Sequence, residues 1–101
     1  MNAKIYSINE IKKIVAPIAE SYGVDRVFLF GSYARGEANK DSDLDLRVDR
    51  GRLRGLLALG GMYSDLRESF GKDLDLLTTA GLDDEFLRNI ADEEILIYEA
   101  S

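Results

Sequence analysis

The sequence contains neither cysteine nor histidine among its 101 residues. Without cysteine there are no disulfides, no thiolate nucleophile and no zinc–thiolate site. Without histidine there is no imidazole to act as a base, a metal ligand or a pH switch. Any bound metal ion must therefore have carboxylate ligands, which favours Mg²⁺ or Mn²⁺.

Long apolar runs are also absent. No run approaches the ~20 residues that span a bilayer, and the N-terminal stretch MNAKIYSINE has no signal-peptide core. We therefore expect no membrane association and a cytoplasmic location. The net charge of −6 opposes binding to phosphate backbones, so stable binding to free nucleic acid is not expected.

The composition indicates one folded domain. Hydrophobic residues make up 46% and charged residues 32% of the chain, which is typical of a globular protein with a single core. Apolar periodicity and turn residues predict a helix that ends at Gly23, strands at 25–30 and 43–49, a helical turn at 33–35, a helix at 52–70, a strand at 73–77, a helix from 83 and a strand at 95–98. This order predicts a single α/β (α+β) domain over residues 1–101, with helices packed against a mixed sheet.

Two of the predicted helices raise specific questions. Ser7 and Glu10 form a capping-box pattern at the start of the first helix. Pro17 lies inside that helix, where it either produces a kink or begins a new turn, and the sequence leaves both open. The helix at 52–70 is predicted to bury one apolar stripe, which consists of Leu53, Leu56, Leu57, Tyr63, Leu66 and Phe70.

The stretch from Val27 to Val48 contains the chemically informative pattern. Its apolar beginning has the length of a buried strand and stops at Gly31-Ser32, where the chain must turn. From Asp43 onward the residues alternate, so Asp43 and Asp45 share one face of a strand and apolar residues occupy the other. Their Cα atoms would be ~6.6 Å apart, close enough for the carboxylates to share ions. A solvated strand face is the alternative interpretation.

This arrangement fits the transfer of a phosphoryl or nucleotidyl group. Two Mg²⁺ ions ~3.5–4 Å apart promote in-line displacement at phosphorus. Backbone N–H groups near Gly31 and Ser32, and the serine hydroxyl, would meet a triphosphate, although a simple turn would look the same. An EF-hand loop is excluded because its twelfth position is Arg52, and a P-loop because Glu37 replaces its lysine.

Gly31-Ser32, ten further residues and Asp43-x-Asp45 together resemble the signature of the polymerase-β-type nucleotidyltransferases. The string GSYARGEANKDSDLDL is similar to the minimal nucleotidyltransferases (MNT), the antitoxins of HEPN/MNT toxin–antitoxin pairs. The similarity continues through GKDLDLLT at 71–78 to the ILIYE ending. It implies that Asp75 is a third carboxylate, which binds the catalytic ion or deprotonates the attacking hydroxyl. Asp73 shares that strand face but fits the pattern less well.

Further candidates surround this motif. Arg35 is the cation expected to meet the triphosphate because a guanidinium matches phosphate oxygens in a fork; a solvated arginine is the alternative. Lys40 and Arg47 are weaker candidates, and Arg47 could instead pair with Asp45 or a neighbouring carboxylate. Tyr33 could stack on a base or pack internally. Ser42 is expected to support the loop, and the four phenylalanines are assigned to the core.

The resemblance implies an activity and a partner. It implies Mg²⁺-dependent transfer of AMP from ATP to a tyrosine hydroxyl of a HEPN ribonuclease toxin, which silences the toxin. The chain ends at Ser101, so we expect the acceptor surface to come from that second protein. Two other functions stay open: a non-catalytic antitoxin that occludes its partner, and an antibiotic nucleotidyltransferase, which the lack of an acceptor domain disfavours.

Overall fold

The computed structural model describes residues 4–101, so the first three residues of the predicted domain lie outside the described part. The helices are α1 (Ile8–Tyr22), α2 (Gly31–Ala34), α3 (Gly55–Phe70) and α4 (Asp84–Ala91), with a 3₁₀ turn at Thr79–Gly81. The strands are β1 (Arg26–Phe30), β2 (Leu44–Asp49), β3 (Leu74–Thr78) and β4 (Ile95–Glu99). Their order across the sheet is β3-β2-β1-β4. Since β2 and β3 are parallel and the other neighbours antiparallel, the predicted mixed sheet is confirmed.

Helix α1 begins and ends as its sequence predicts. The Ser7 hydroxyl accepts a hydrogen bond from the Glu10 N–H at 3.1 Å, and the Glu10 carboxylate accepts one from the Ser7 N–H at 2.9 Å. This reciprocal capping box satisfies two backbone donors that the helix leaves unpaired. Gly23 ends the helix with a φ of 74°. Pro17 lies inside one continuous helix, so no separate turn begins there.

The core lies on one face of the sheet, where α1 and α3 pack together. Alternation along β2 determines which side chains enter it: Leu44, Leu46 and Val48 are fully buried, whereas Asp45 and Asp49 occupy the opposite face. The helices contribute Ile11, Val15, Ala19, Met62, Leu66 and Phe70 to the same cluster. The sheet therefore separates a dry apolar layer from a face that bears carboxylates.

The predicted apolar stripe of α3 is partly wrong. The helix begins at Gly55 rather than at 52, and Leu56 and Leu57 are 84% and 94% exposed. The buried stripe instead includes Met62 and continues at four-residue intervals toward the end of α3. At about 100° per residue, Leu56 and Leu57 are rotated by about 120° and 140° from Met62. They therefore point away from the core, as does the partly exposed Tyr63.

No helix within residues 4–101 combines the length and the apolar character that a membrane crossing requires.

Candidate functional site

Strand register brings the predicted carboxylates of two different strands together. In the parallel pair of β2 and β3, Asp45 is the register partner of Asp75. In the antiparallel pair of β1 and β2, Asp45 lies opposite Phe30, the last residue before Gly31. The start of β2, the start of β3 and the end of β1 therefore meet at one end of the sheet.

Asp45 has an unusual electrostatic environment. Burial, together with a hydrogen bond to Asp75 and the negative charges of Asp75 and Asp43, raises the pKa of Asp45 to about 6, while Arg35 acts in the opposite direction. A carboxyl group in this position resists ionisation because its charge is desolvated and repelled at once. A cation bound between these groups would relieve both effects.

Gly31 explains how the chain approaches this carboxylate. Its φ of 76° lies in the left-handed region, and a Cβ at this position would lie 2.2 Å from Oδ2 of Asp45. Any residue with a Cβ would therefore have to displace the Asp45 carboxylate and would also be strained at this φ, so the position favours glycine. Helix α2 starts here, and the half-buried Ser32 is its second residue.

Glu93 is the site residue that sequence analysis missed. Its Oε2 accepts a hydrogen bond from the Gly31 N–H at 2.7 Å and another from Nη1 of Arg35 at 3.0 Å. The Gly31 N–H therefore already has a partner, contrary to the expectation that it faces a triphosphate. Glu93 is 62 residues from Gly31 in sequence, and no local pattern indicates the contact.

Arg35 lies between two carboxylates. Besides the bond to Glu93, its Nε donates to Oε1 of Glu37 at 2.9 Å. The hydrogen bond to Glu37 has the largest effect on the pKa of the exposed guanidinium. Together with the negative charges of both carboxylates and the hydrogen bond to Glu93, it raises that pKa above its usual value. A guanidinium has five N–H donors, so two such bonds leave three for another anion.

Asp43 is the least defined member of the predicted triad. It is exposed and directly precedes β2 rather than lying within the strand. Within residues 4–101, no three acidic side chains are arranged as a ready-made metal site. The donor set nevertheless fits a hard divalent cation, because Asp43, Asp45 and Asp75 supply oxygen ligands only and interact through unfavourable negative charge.

Three secondary candidates lie elsewhere. Asp73 forms an ion pair with Arg67 at 2.9 Å, so it takes no part in the Asp45–Asp75 pair. Tyr33 is 4% exposed and its hydroxyl accepts a hydrogen bond from the buried Lys72, which settles the choice in favour of packing. Ser42 supports its loop as expected, accepting a bond from the N–H of residue 39.

Arg47 belongs to a separate polar cluster on the same face of the sheet. It is buried and forms a two-pronged ion pair with Glu94, at 2.7 and 3.1 Å, rather than with Asp45. Its guanidinium lies 4.1 Å from the centre of the Phe28 ring. Phe28 is therefore not a core residue, contrary to the sequence-based assignment, because strand alternation places it beneath this cation.

Residues 9–101 match the family described as polymerase beta, nucleotidyltransferase. A Methanocaldococcus jannaschii protein named as a protein adenylyltransferase is 44% identical over 72 residues, which cover 71% of this chain and 77% of that protein. The protein adenylyltransferase MntA of Thermococcus cleftensis is 30% identical over 95 residues, or 90% of this chain and 96% of that protein.

Solved structures share the fold. A protein described as a minimal nucleotidyltransferase is 31% identical with a TM-score of 0.77, covering 89% of this chain and 95% of that one. A toxin–antitoxin complex with AMP-PNP matches at 16% identity and a TM-score of 0.75, over 89% of this chain and 74% of that one. A tri-AMPylated HEPN toxin in complex with its MNT antitoxin, from Shewanella oneidensis, matches at 17% identity and a TM-score of 0.64. The match covers 92% of this chain and 70% of that one. The last two likenesses concern the fold alone. The family match over residues 9–101 and the 44% identity show that this chain belongs to the polymerase β nucleotidyltransferase family.

Proposed function

We propose that this protein transfers AMP from ATP to a tyrosine hydroxyl of a HEPN-domain toxin and thereby acts as its antitoxin. The observation that supports this function most directly is the Asp45–Asp75 pair directly against the Gly31 turn. Two carboxyl groups that repel each other beside a tight glycine turn suit a substrate that arrives with divalent cations and phosphate groups.

Each residue has a defined part in the proposed reaction. The tyrosine oxygen attacks the α-phosphorus, a new P–O bond forms, and the bond from the α-phosphorus to the bridging oxygen breaks so that pyrophosphate leaves. Asp75 accepts the proton of the attacking hydroxyl. Ser32 and Arg35 bind the β- and γ-phosphates, so that attack and departure are in line. Asp43, Asp45 and Asp75 would bind Mg²⁺ or Mn²⁺, which neutralises the developing phosphate charge.

The comparisons support the acceptor and the partner. The two similar archaeal proteins are named as protein adenylyltransferases. Structures with this fold include a toxin–antitoxin complex with AMP-PNP and an AMPylated HEPN toxin bound to an MNT antitoxin. We therefore assign ATP as the nucleotide and a HEPN toxin as the protein that supplies the acceptor.

The test uses the protein encoded by the neighbouring reading frame as acceptor. The two proteins are incubated with ATP and Mg²⁺, and the acceptor is weighed by mass spectrometry, with an expected gain of one or more AMP units at tyrosine. Asp45→Asn should abolish the gain. Asp73→Asn should retain it, because it removes the same charge from a residue paired with Arg67. An acceptor that binds the wild-type chain but keeps its mass would contradict the proposal.

Neutralisation by occlusion is the second candidate. It would need only a binding surface, such as the exposed apolar side chains of Leu56 and Leu57 on α3. A chain with both Asp43→Asn and Asp45→Asn should lose neutralisation if transfer is required and keep it if binding is enough. Antibiotic resistance conferred by the chain alone would indicate a small-molecule acceptor instead.

A further inference from the structure

We propose that Glu93 is a positioning residue that fixes the Gly31 turn and Arg35 for triphosphate binding. The inference rests on the proposed function, because it assigns the phosphate-binding role of that site to an anchor on a distant segment. The Glu93 side chain is 26% exposed and contacts both groups through a single oxygen.

The first observation is where strand pairing stops. The ladder between β1 and β4 ends at Leu29 and Ile95, before the chain reaches Gly31. The N–H of Gly31 would have no partner on the β4 side of the sheet, and the Glu93 carboxylate takes the place of the missing strand residue at 2.7 Å. A hydrogen bond from a backbone N–H to a charged acceptor is stronger than one to a carbonyl.

The second observation is that the backbone of Glu93 is itself held in place by the end of α4. The backbone N–H groups of Glu93 and Glu94 both donate to the carbonyl of Ile90 at 3.0 Å, at the end of α4. Ile90 is itself buried. The end of α4 therefore holds the Glu93 backbone, and the Glu93 side chain transmits that position to the turn after β1.

The third observation concerns the side from which Glu93 acts. Strand β4 flanks β1 on the edge opposite β2, so the Glu93 oxygen lies across β1 from Asp45. Glu93 therefore contacts the turn from the β4 side of β1, whereas Asp45 contacts it from the β2 side. The same oxygen orients Nη1 of Arg35. Because a guanidinium has five N–H donors, others remain available to bind phosphate.

A competing role makes the opposite prediction. A carboxylate on Gly31 and Arg35 could instead act as an internal anion that a triphosphate must displace. Removal of Glu93 would then strengthen nucleotide binding. Positioning predicts weaker binding on removal, and partial rescue when the side chain keeps an acceptor oxygen.

Glu37 supplies a matched control. It contacts the same guanidinium at 2.9 Å and has the same charge, but its side chain is 66% exposed and its contact is with Arg35 rather than Gly31. We therefore compare Glu93→Ala, Glu93→Gln and Glu37→Ala. The measurements are the dissociation constant for AMP-PNP with Mg²⁺, and KM for ATP and kcat in AMP transfer.

Glu93→Ala should raise the dissociation constant for AMP-PNP and the KM for ATP by about tenfold or more, with a smaller fall in kcat. The reason is that the Gly31 turn and Arg35 would no longer be held in the positions that bind the triphosphate. Glu93→Gln should recover most of the loss, because its amide oxygen still accepts the Gly31 N–H. Glu37→Ala should stay within about threefold of wild type, as for an exposed ion pair. Tighter binding by Glu93→Ala, or equal effects of Glu93→Ala and Glu37→Ala, would overturn the proposal.

Amide hydrogen exchange tests the anchor without relying on activity. The Gly31 N–H should be protected in wild type and in Glu37→Ala, and should exchange faster in Glu93→Ala while amides of the core strands are unchanged. A wild-type chain that binds AMP-PNP but modifies no partner would contradict the proposed function and leave the anchor to be judged by these measurements. An unprotected Gly31 amide in wild type would overturn the anchor alone.

Discussion

At the scale of single residues, Asp45 has opposite effects on folding and on chemistry. Its carboxyl group is placed where burial and two other aspartates disfavour its charge. The folded state therefore binds a proton at Asp45 more tightly than the unfolded chain does. Such a cost is typical of sites where a ligand supplies the missing countercharge.

This conflict predicts a pH-dependent stability difference. The pKa of Asp45 is about 6 in the folded chain, against an ordinary 3.8, so its favourable contribution is complete below the lower value and is lost as pH rises through the higher one. In EDTA, Asp45→Asn should therefore become more stable relative to wild type as pH rises from about 4 to about 7. Urea midpoints across this range measure the difference, and parallel curves for the two proteins would contradict it.

Gly31 allows a second prediction at this scale, with Gly36 as its control. Both glycines have a φ near 75°, but a Cβ at Gly36 meets nothing within 4 Å, whereas one at Gly31 meets the Asp45 carboxylate. Gly36→Ala should cost about 1–2 kcal/mol of unfolding free energy from the backbone conformation alone. Gly31→Ala should cost clearly more and should also abolish AMP transfer. Equal losses in denaturant unfolding would show that the close approach to Asp45 is unimportant.

At the scale of secondary-structure elements, α3 shows what the sequence could and could not predict. Its existence and its end at Gly71 follow from periodicity and a glycine cap. Its buried side does not, because leucines lie on more than one face and periodicity alone cannot choose between them. The sequence-based prediction for this reason assigns Leu56 and Leu57 to the buried stripe, although both are exposed.

The same limit applies to the site. Alternation correctly placed Asp45 opposite the apolar face of β2, and the family resemblance pointed to Asp75 on the neighbouring strand. Neither could indicate Glu93, whose contact with Gly31 depends on how the end of α4 lies against the end of β1. Nor could they show that Arg47 pairs with Glu94. Long-range side-chain contacts of this kind are determined by packing rather than by local pattern.

The assignment of the α3 faces predicts two very different stabilities. Leu66→Ala should lower the unfolding free energy by ~2–5 kcal/mol, since Leu66 is fully buried and its removal leaves a cavity. Leu57→Ala should change it by no more than about 0.5 kcal/mol because Leu57 is 94% exposed. Both values come from urea unfolding of the two variants. A loss above ~2 kcal/mol for Leu57→Ala would mean that the helix faces are assigned wrongly.

At the scale of the whole molecule, two layers have different tasks. The helices α1 and α3 and one face of the sheet form the apolar core. The opposite face and the sheet end next to it contain Asp45 and Asp75, together with the Arg47–Glu94 pair. Because the acidic pair is not part of the core, ligands that bind it should stabilise the folded state without repacking the interior.

This separation predicts how the domain responds to its proposed ligands. ATP with Mg²⁺ at a hundredfold excess over its dissociation constant should stabilise a folded chain by about 2.7 kcal/mol, which for a domain of this size raises Tm by roughly 10–20 °C. Asp45→Asn should lose most of this shift because it removes a ligand of the divalent cation. EDTA should remove the shift from wild type because, without cations, the triphosphate and the aspartates repel each other. Asp73→Asn, whose carboxylate pairs with Arg67 away from the site, should keep the full shift in differential scanning fluorimetry. Equal shifts for Asp45→Asn and wild type would place the nucleotide somewhere other than beside Asp45.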